Sequence, residues 1–228
     1  HRVKVNFGED SVEDGTFVEV GSTKRYRLLM NFSNLSFFDP YYSADEEGNS
    51  IKDSSMGGIA AYAYLAGLDF VDETRMGVSG HSMGTWASWT VAAAYGAEDE
   101  AESIAPKAVV LQCGELFTDD VYDSDAIKFN NVLLLQAKYE EFSYFRDYKN
   151  MVTDELLSTP LRSGFLGCDP SEAAWNTTFG DFSDGSARRI ELLNTNHRLT
   201  THNSKGIGVA MGWFMDALAM DGLTSDVS

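Results

Sequence analysis

Ser82 lies in the stretch Gly80-His81-Ser82-Met83-Gly84, a G-x-S-x-G spacing that can present a serine hydroxyl as a nucleophile. A hydroxyl attacks poorly unless a base takes its proton and an acid orients that base. The chain has four histidines, few enough to examine one by one. His1 is terminal, and His81 lies inside the turn and cannot fold back on Ser82. The base is therefore His197 or His202, both in "ELLNTNHRLTTHN". His197 is favoured because it follows the apolar run "RRIELL" most closely. Where a G-x-S-x-G serine sits on a strand-to-helix turn, its partners follow along the chain in the order serine, acid, histidine. "NVLLLQAKYEEF" ends an apolar run in Glu140 and Glu141, and "FTDDVYDSD" offers Asp119, Asp120 and Asp123 earlier. Against each assignment stands a plainer one: a turn serine, a backbone-bonded loop histidine, a solvated carboxylate.

The segments around these residues predict how they are held. "RMGVSG" reads as a short strand and "SMGTWASWTVAAAYG" as a buried helix ending at Gly96, so Ser82 falls on a strand-to-helix turn. Such a turn is expected to leave no room for side chains two residues to either side, which accounts for Gly80 and Gly84. It also aims the Met83 N–H, at the helix start, where an oxyanion would form. "KAVVLQCG" and "NVLLLQA" are continuous apolar runs, as strands covered on both faces require. "ARRIELLN" is a further strand, and "SKGIGVAMGWFMDALAM" a final amphipathic helix. Earlier, "TFVEVGSTKRYRLLM" alternates around Gly21-Ser22 and predicts a β-hairpin. "NLSFFDP" reads as a short strand, and "YYSADEEGNSIKD" as a polar loop. A helix is expected over residues 54–68. Strands alternating with helices predict an α/β fold over residues 1–228, a mostly parallel sheet flanked by helices.

The 228 residues carry 17 basic and 35 acidic side chains, a net charge of −18. A surface this acidic repels phosphate backbones and anionic lipid heads, so it argues against nucleic-acid and membrane-surface roles. No apolar run reaches the roughly 18–20 residues of a transmembrane helix. The chain opens on His1 without a signal-peptide pattern, which reads as a processed, trimmed or partial chain. Cys113 and Cys168 lie far apart with no C-x-x-C, and their pairing is left open. The histidines and cysteines show no zinc-ligand spacing. The acidic 119–125 stretch lacks the ligand order of an EF-hand, so no metal or cofactor is expected.

The stretches "LAGLDFVDETRMGVSGHSMGTWASWTVAAA", "NVLLLQAKYEEF" and "ELLNTNHRLTTHNSKGIGVAMGWF" together resemble the α/β-hydrolase superfamily, and within it the dienelactone-hydrolase-like and cutinase-like serine esterases. The resemblance covers residues 59–218 and is most specific at the turn. It implies a Ser82–His197–acid triad, and it maps the acid onto Glu140, with Glu141 as runner-up. Relatives carry a second glycine where this chain has Thr85, and usually an aspartate where it has Glu140. They also carry a strand, a His-Gly loop and a helix before the elbow. Residues 30–54 leave room for about one short strand and a loop, so the sheet is expected to be shortened on its N-terminal side. The second oxyanion donor is unassigned, with residues 37–42 the nearest candidates. Relatives elaborate a cap after the acid. Residues 142–186, which hold Phe142, Tyr144, Phe145, Tyr148, Trp175 and Phe179, could therefore line a pocket, although core packing is the default for such aromatics.

The function this predicts is hydrolysis of carboxylic esters through an acyl-serine, on small soluble esters or polyesters, without a cofactor. The alternatives are a non-catalytic α/β-hydrolase-like binding domain and an amide or peptide hydrolase using the same residues. The acidic surface and the resemblance point to an extracellular setting.

Overall fold

The computed structural model describes four short strands before residue 53, and residues 55–96, 104–116, 129–143, 148 and 152–220. The chain divides into two compact units, His1–Gly57 and Gly58–Ser228. In the first, β1 (Phe17–Glu19) pairs antiparallel with β2 (Tyr26–Leu28) as the alternating pattern predicts. The expected loop over residues 41–53 instead contains a second antiparallel pair, β3 (Tyr42–Ala44) with β4 (Ser50–Lys52). The polar composition of residues 41–53, rich in turn formers, hid these two short strands. The strand expected around residues 34–40 lies outside the described residues.

The second unit is an α/β layer structure. Its sheet has five strands in the order β5 (Gly77–His81), β6 (Ala108–Gln112), β7 (Val132–Tyr139), β9 (Arg188–Asn196), β8 (Thr178–Phe179). The first four run parallel, and only β8 is antiparallel. Side chains on β6 and β7 alternate between two cores, as the period of two requires. Val109, Leu111, Val132 and Leu134 pack with Trp89 and Ala92 of α2 (Gly84–Tyr95) and with Phe165 and Leu166 of α3 (Pro160–Leu166). Ala108, Val110, Leu133 and Leu135 face the other way, onto Trp213 of α4 (Ser204–Ala217). With helices on both faces, these strands had to be apolar throughout, which is why they read as unbroken runs.

The helix ends follow local chemistry. Asn203 caps α4, its side chain accepting the Gly206 N–H at 2.9 Å. α3 opens on Pro160 and stops at Gly167, whose φ of 68° is the left-handed conformation of a helix C-terminus. The helix expected over residues 54–68 is α1 (Gly58–Ala66), which buries Tyr62 and Ala66 against Met76 and Val91. Leu157, Phe165 and Leu166 lie in the main core, and Trp175 and Phe179 pack against it. Those two aromatics of the 142–186 segment therefore serve the core. Tyr144 and Phe145 lie outside the described residues.

Candidate active site

Ser82 occupies the bend between β5 and α2 with a φ of 56°. A non-glycine residue at positive φ is sparsely populated, and it persists only where the surroundings dictate it. Two anchors do so here. The Ser82 N–H donates to the Gln112 carbonyl of β6 at 2.9 Å. The Ser82 carbonyl accepts from the Thr85 N–H at 2.9 Å and from the Thr85 hydroxyl at 2.6 Å. Thr85 is fully buried, and Gly114 gives it room, since a Cβ there would fall 2.6 Å from the threonine methyl. The departure at Thr85 is thus a bond that braces the bend.

The two flanking glycines are not equivalent. A Cβ on Gly80 would lie 2.0 Å from the Gly84 carbonyl oxygen, whereas a Cβ on Gly84 would meet nothing within 4 Å. The need for smallness expected on both sides falls on Gly80 alone, because α2 crosses back over the strand at that point. Met83 precedes α2 with helical dihedrals. Among the described residues its N–H has no acceptor, so it can donate to a developing oxyanion.

Glu140 follows the last residue of β7, and His197 follows the last residue of β9. These adjacent parallel strands bring the two side chains together at the carboxyl edge of the sheet. Nδ1 of His197 lies 2.9 Å from Oε1 and 3.0 Å from Oε2 of Glu140. Both side chains are almost wholly buried, with 4% and 1% of their surface exposed. A carboxylate only accepts, so Nδ1 carries a proton, and in the neutral ring it is Nε2 that keeps the lone pair. The Phe142 N–H also donates to Glu140 Oε1, at 3.1 Å, and the Phe142 ring meets the imidazole edge-on at 4.8 Å.

Glu141 does something different. Its Oε2 accepts the His197 backbone N–H at 2.6 Å. Burial would raise this carboxyl, but backbone N–H groups of Glu141, His197 and Arg198, joined by the charge of His197 whenever that ring is protonated, outweigh it and hold its pKa below the ordinary glutamate value. The neighbouring glutamates thus divide the work, one holding the ring and the other the main chain that carries it. His81 adds a third restraint, Nε2 donating to the His197 carbonyl at 2.8 Å, with the two imidazole rings 4.7 Å apart.

Of the residues singled out in the sequence, Glu140 and His197 meet in one buried pair, while Ser82 and Met83 lie on the bend at the end of β5. Among the described residues Ser82 Oγ makes no hydrogen bond. His202 is exposed and bonded through Nδ1 to the Thr201 hydroxyl at 3.0 Å. Asp119, Asp120 and Asp123 lie outside the described residues, as do 37–41 of the proposed second oxyanion segment. Cys113 and Cys168 are not joined by a disulfide. Sequence reasoning missed Cys113 as a neighbour of the histidines: its Sγ lies 2.9 Å from the Thr200 hydroxyl, in the turn that follows His197. The available signal was its place just after β6, the strand that follows the Ser82 bend in the chain.

In comparisons with known proteins, no protein-family model matches the chain and no curated protein matches it.

Proposed function

We propose that this chain is a serine hydrolase of the α/β-hydrolase type that cleaves carboxylic esters. The single observation that carries the reading is the buried Glu140–His197 pair, which stands at the same sheet edge as a serine at positive φ. The order of the strands adds support. Ser82, Glu140 and His197 follow β5, β7 and β9, in the chain order such a triad requires.

In this mechanism Ser82 Oγ attacks the ester carbonyl as His197 Nε2 takes its proton. Glu140 fixes the tautomer and stabilises the imidazolium. The Met83 N–H holds the tetrahedral oxyanion. His197 returns the proton to the departing alcohol, leaving an acyl-serine. Water then attacks with His197 again as base, releasing the acid and regenerating the hydroxyl.

Four large apolar side chains close to these groups along the chain are exposed: Met83 (50%) after Ser82, Tyr139 (49%) before Glu140, Leu199 (56%) two residues after His197, and Trp86 (46%) on the first turn of α2. Such exposed apolar surface would suit esters with an apolar acyl or alcohol part, small esters and polyesters alike. Ser82→Ala should abolish hydrolysis of a short-chain p-nitrophenyl ester without altering the thermal melt. Undiminished turnover in that variant would rule the mechanism out.

A second reading is a binding domain that retains these residues without catalysis. The unbonded Ser82 hydroxyl favours it. A fluorophosphonate probe separates the two, because only an activated serine is labelled. An amidase using the same residues would turn over a matched amide at a rate comparable to the ester.

A further inference from the structure

His81, Cys113 and His197 each offer one ligand atom, and the three atoms lie within 4.8 Å of one another. We propose that these residues form a binding site for a soft or borderline divalent cation of the zinc class, and that occupancy of this site switches His197 off. The ligands come from the carboxyl ends of three mutually parallel strands of one sheet, β5, β6 and β9, which is why no local spacing revealed them.

Three features of the site fit a cation. The donor set, two imidazoles and one thiol, is the combination that selects zinc-like ions over magnesium or calcium. Tetrahedral bonds of about 2.0–2.1 Å to nitrogen and 2.3 Å to sulfur place two nitrogens and one sulfur about 3.3–3.6 Å apart. Closing from 4.8 Å, the upper limit of their separations, to that spacing asks for at most about 1.5 Å of side-chain movement. Each ligand also has an outer partner of the kind that orients metal-binding side chains. Glu140 holds Nδ1 of His197, the His197 carbonyl holds Nε2 of His81, and the Thr200 hydroxyl sits on Cys113 Sγ. The Thr200 proton is already directed to the Asn196 carbonyl at 2.9 Å, so the Cys113 thiol is the donor in that contact. On ligation the thiol releases its proton to solvent, and the Thr200 hydroxyl can turn to donate to the thiolate.

Cys113 and His197 are buried at 1% and 3% exposure, whereas His81 is half-buried, so the ion reaches the site on the His81 side. A cation on Nε2 of His197 takes the lone pair that would otherwise accept the Ser82 proton. That inhibitory consequence rests on the serine hydrolase reading, whereas the binding itself does not.

Cobalt(II) reports the binding directly. Titrated into the full chain carrying Cys168→Ser, it should bind at one equivalent and give a thiolate-to-cobalt charge-transfer band with tetrahedral visible absorption. Adding Cys113→Ser should remove the band and weaken binding by at least about 100-fold, since loss of even an outer partner costs about 10- to 100-fold. Glu140→Gln should weaken it by that smaller factor. X-ray absorption of the zinc-loaded unmodified chain, which needs no variant to fold, should show one sulfur near 2.3 Å with nitrogen near 2.0–2.1 Å. Absence of the band, its persistence after Cys113→Ser, or a zinc shell without sulfur would overturn the proposal. If ester hydrolysis is present, zinc should suppress it at the occupancy read by the spectrum. If hydrolysis is absent while the band appears, the serine reading has failed and the cation site stands.

Discussion

Glu140→Gln is the most informative single change, because it keeps the shape of the acid while removing its charge. Glu140 lies 2.9–3.0 Å from Nδ1 through both oxygens, which puts the centres of charge about 3–4 Å apart once the ring is protonated. At an effective dielectric of about 20 that attraction is about 4–5.5 kcal/mol. It acts only when the imidazole becomes charged, in the transition state, so it appears in kcat rather than in substrate binding. At about 1.4 kcal/mol per decade, loss of the charge lowers kcat by roughly 10³–10⁴. The amide also turns an N–H₂ toward Nδ1 or toward the Phe142 N–H, which penalises the tautomer that leaves Nε2 free. The assay is kcat for a short-chain p-nitrophenyl ester, with a thermal melt alongside to separate misfolding from lost chemistry. A folded Glu140→Gln protein within tenfold of the unaltered rate would refute the assignment, and an equal or larger loss in Glu141→Gln would move the acid to Glu141.

Glu141→Gln itself should act through the loop, lowering kcat by about tenfold or less and destabilising the unit around His197. Because the Glu141 carboxyl is held below its ordinary value in the folded chain, its ionised form contributes stability above the ordinary carboxylate range. That contribution disappears as the pH falls through the depressed folded value. The gap in urea midpoint between the unaltered and Glu141→Gln chains should therefore be open at neutral pH and close in acid; a gap independent of pH would contradict the clamp. Gly80→Ala should destabilise the chain by at least about 3 kcal/mol, the upper end of overpacking costs, since its Cβ would strike backbone 2.0 Å away. Gly84→Ala should stay within about 1 kcal/mol of the parent, because its Cβ meets nothing and alanine is the better helix residue. Equal urea midpoints for the two alanine variants would show that the bend is not built as described.

Much of this architecture was fixed by composition and periodicity acting over short distances. The apolar runs of β6 and β7 announce strands covered on both faces, and the alternation around Gly21-Ser22 announces a hairpin. The Gly80-to-Gly84 stretch announces a strand-to-helix bend, because steric crowding is local and leaves its mark on neighbouring residues. Where polarity and strand formation conflict, as over residues 41–53, local composition misleads, and backbone pairing decides.

The division of labour between Glu140 and Glu141 could not be settled in the same way. Both are acidic and adjacent, and only the seating of β9 beside β7 puts one carboxylate on the ring of His197 and the other on its main chain. Likewise nothing local joins residues 81, 113 and 197. They meet because three parallel strands end at one edge of a sheet, and that meeting is a property of packing between segments far apart along the chain.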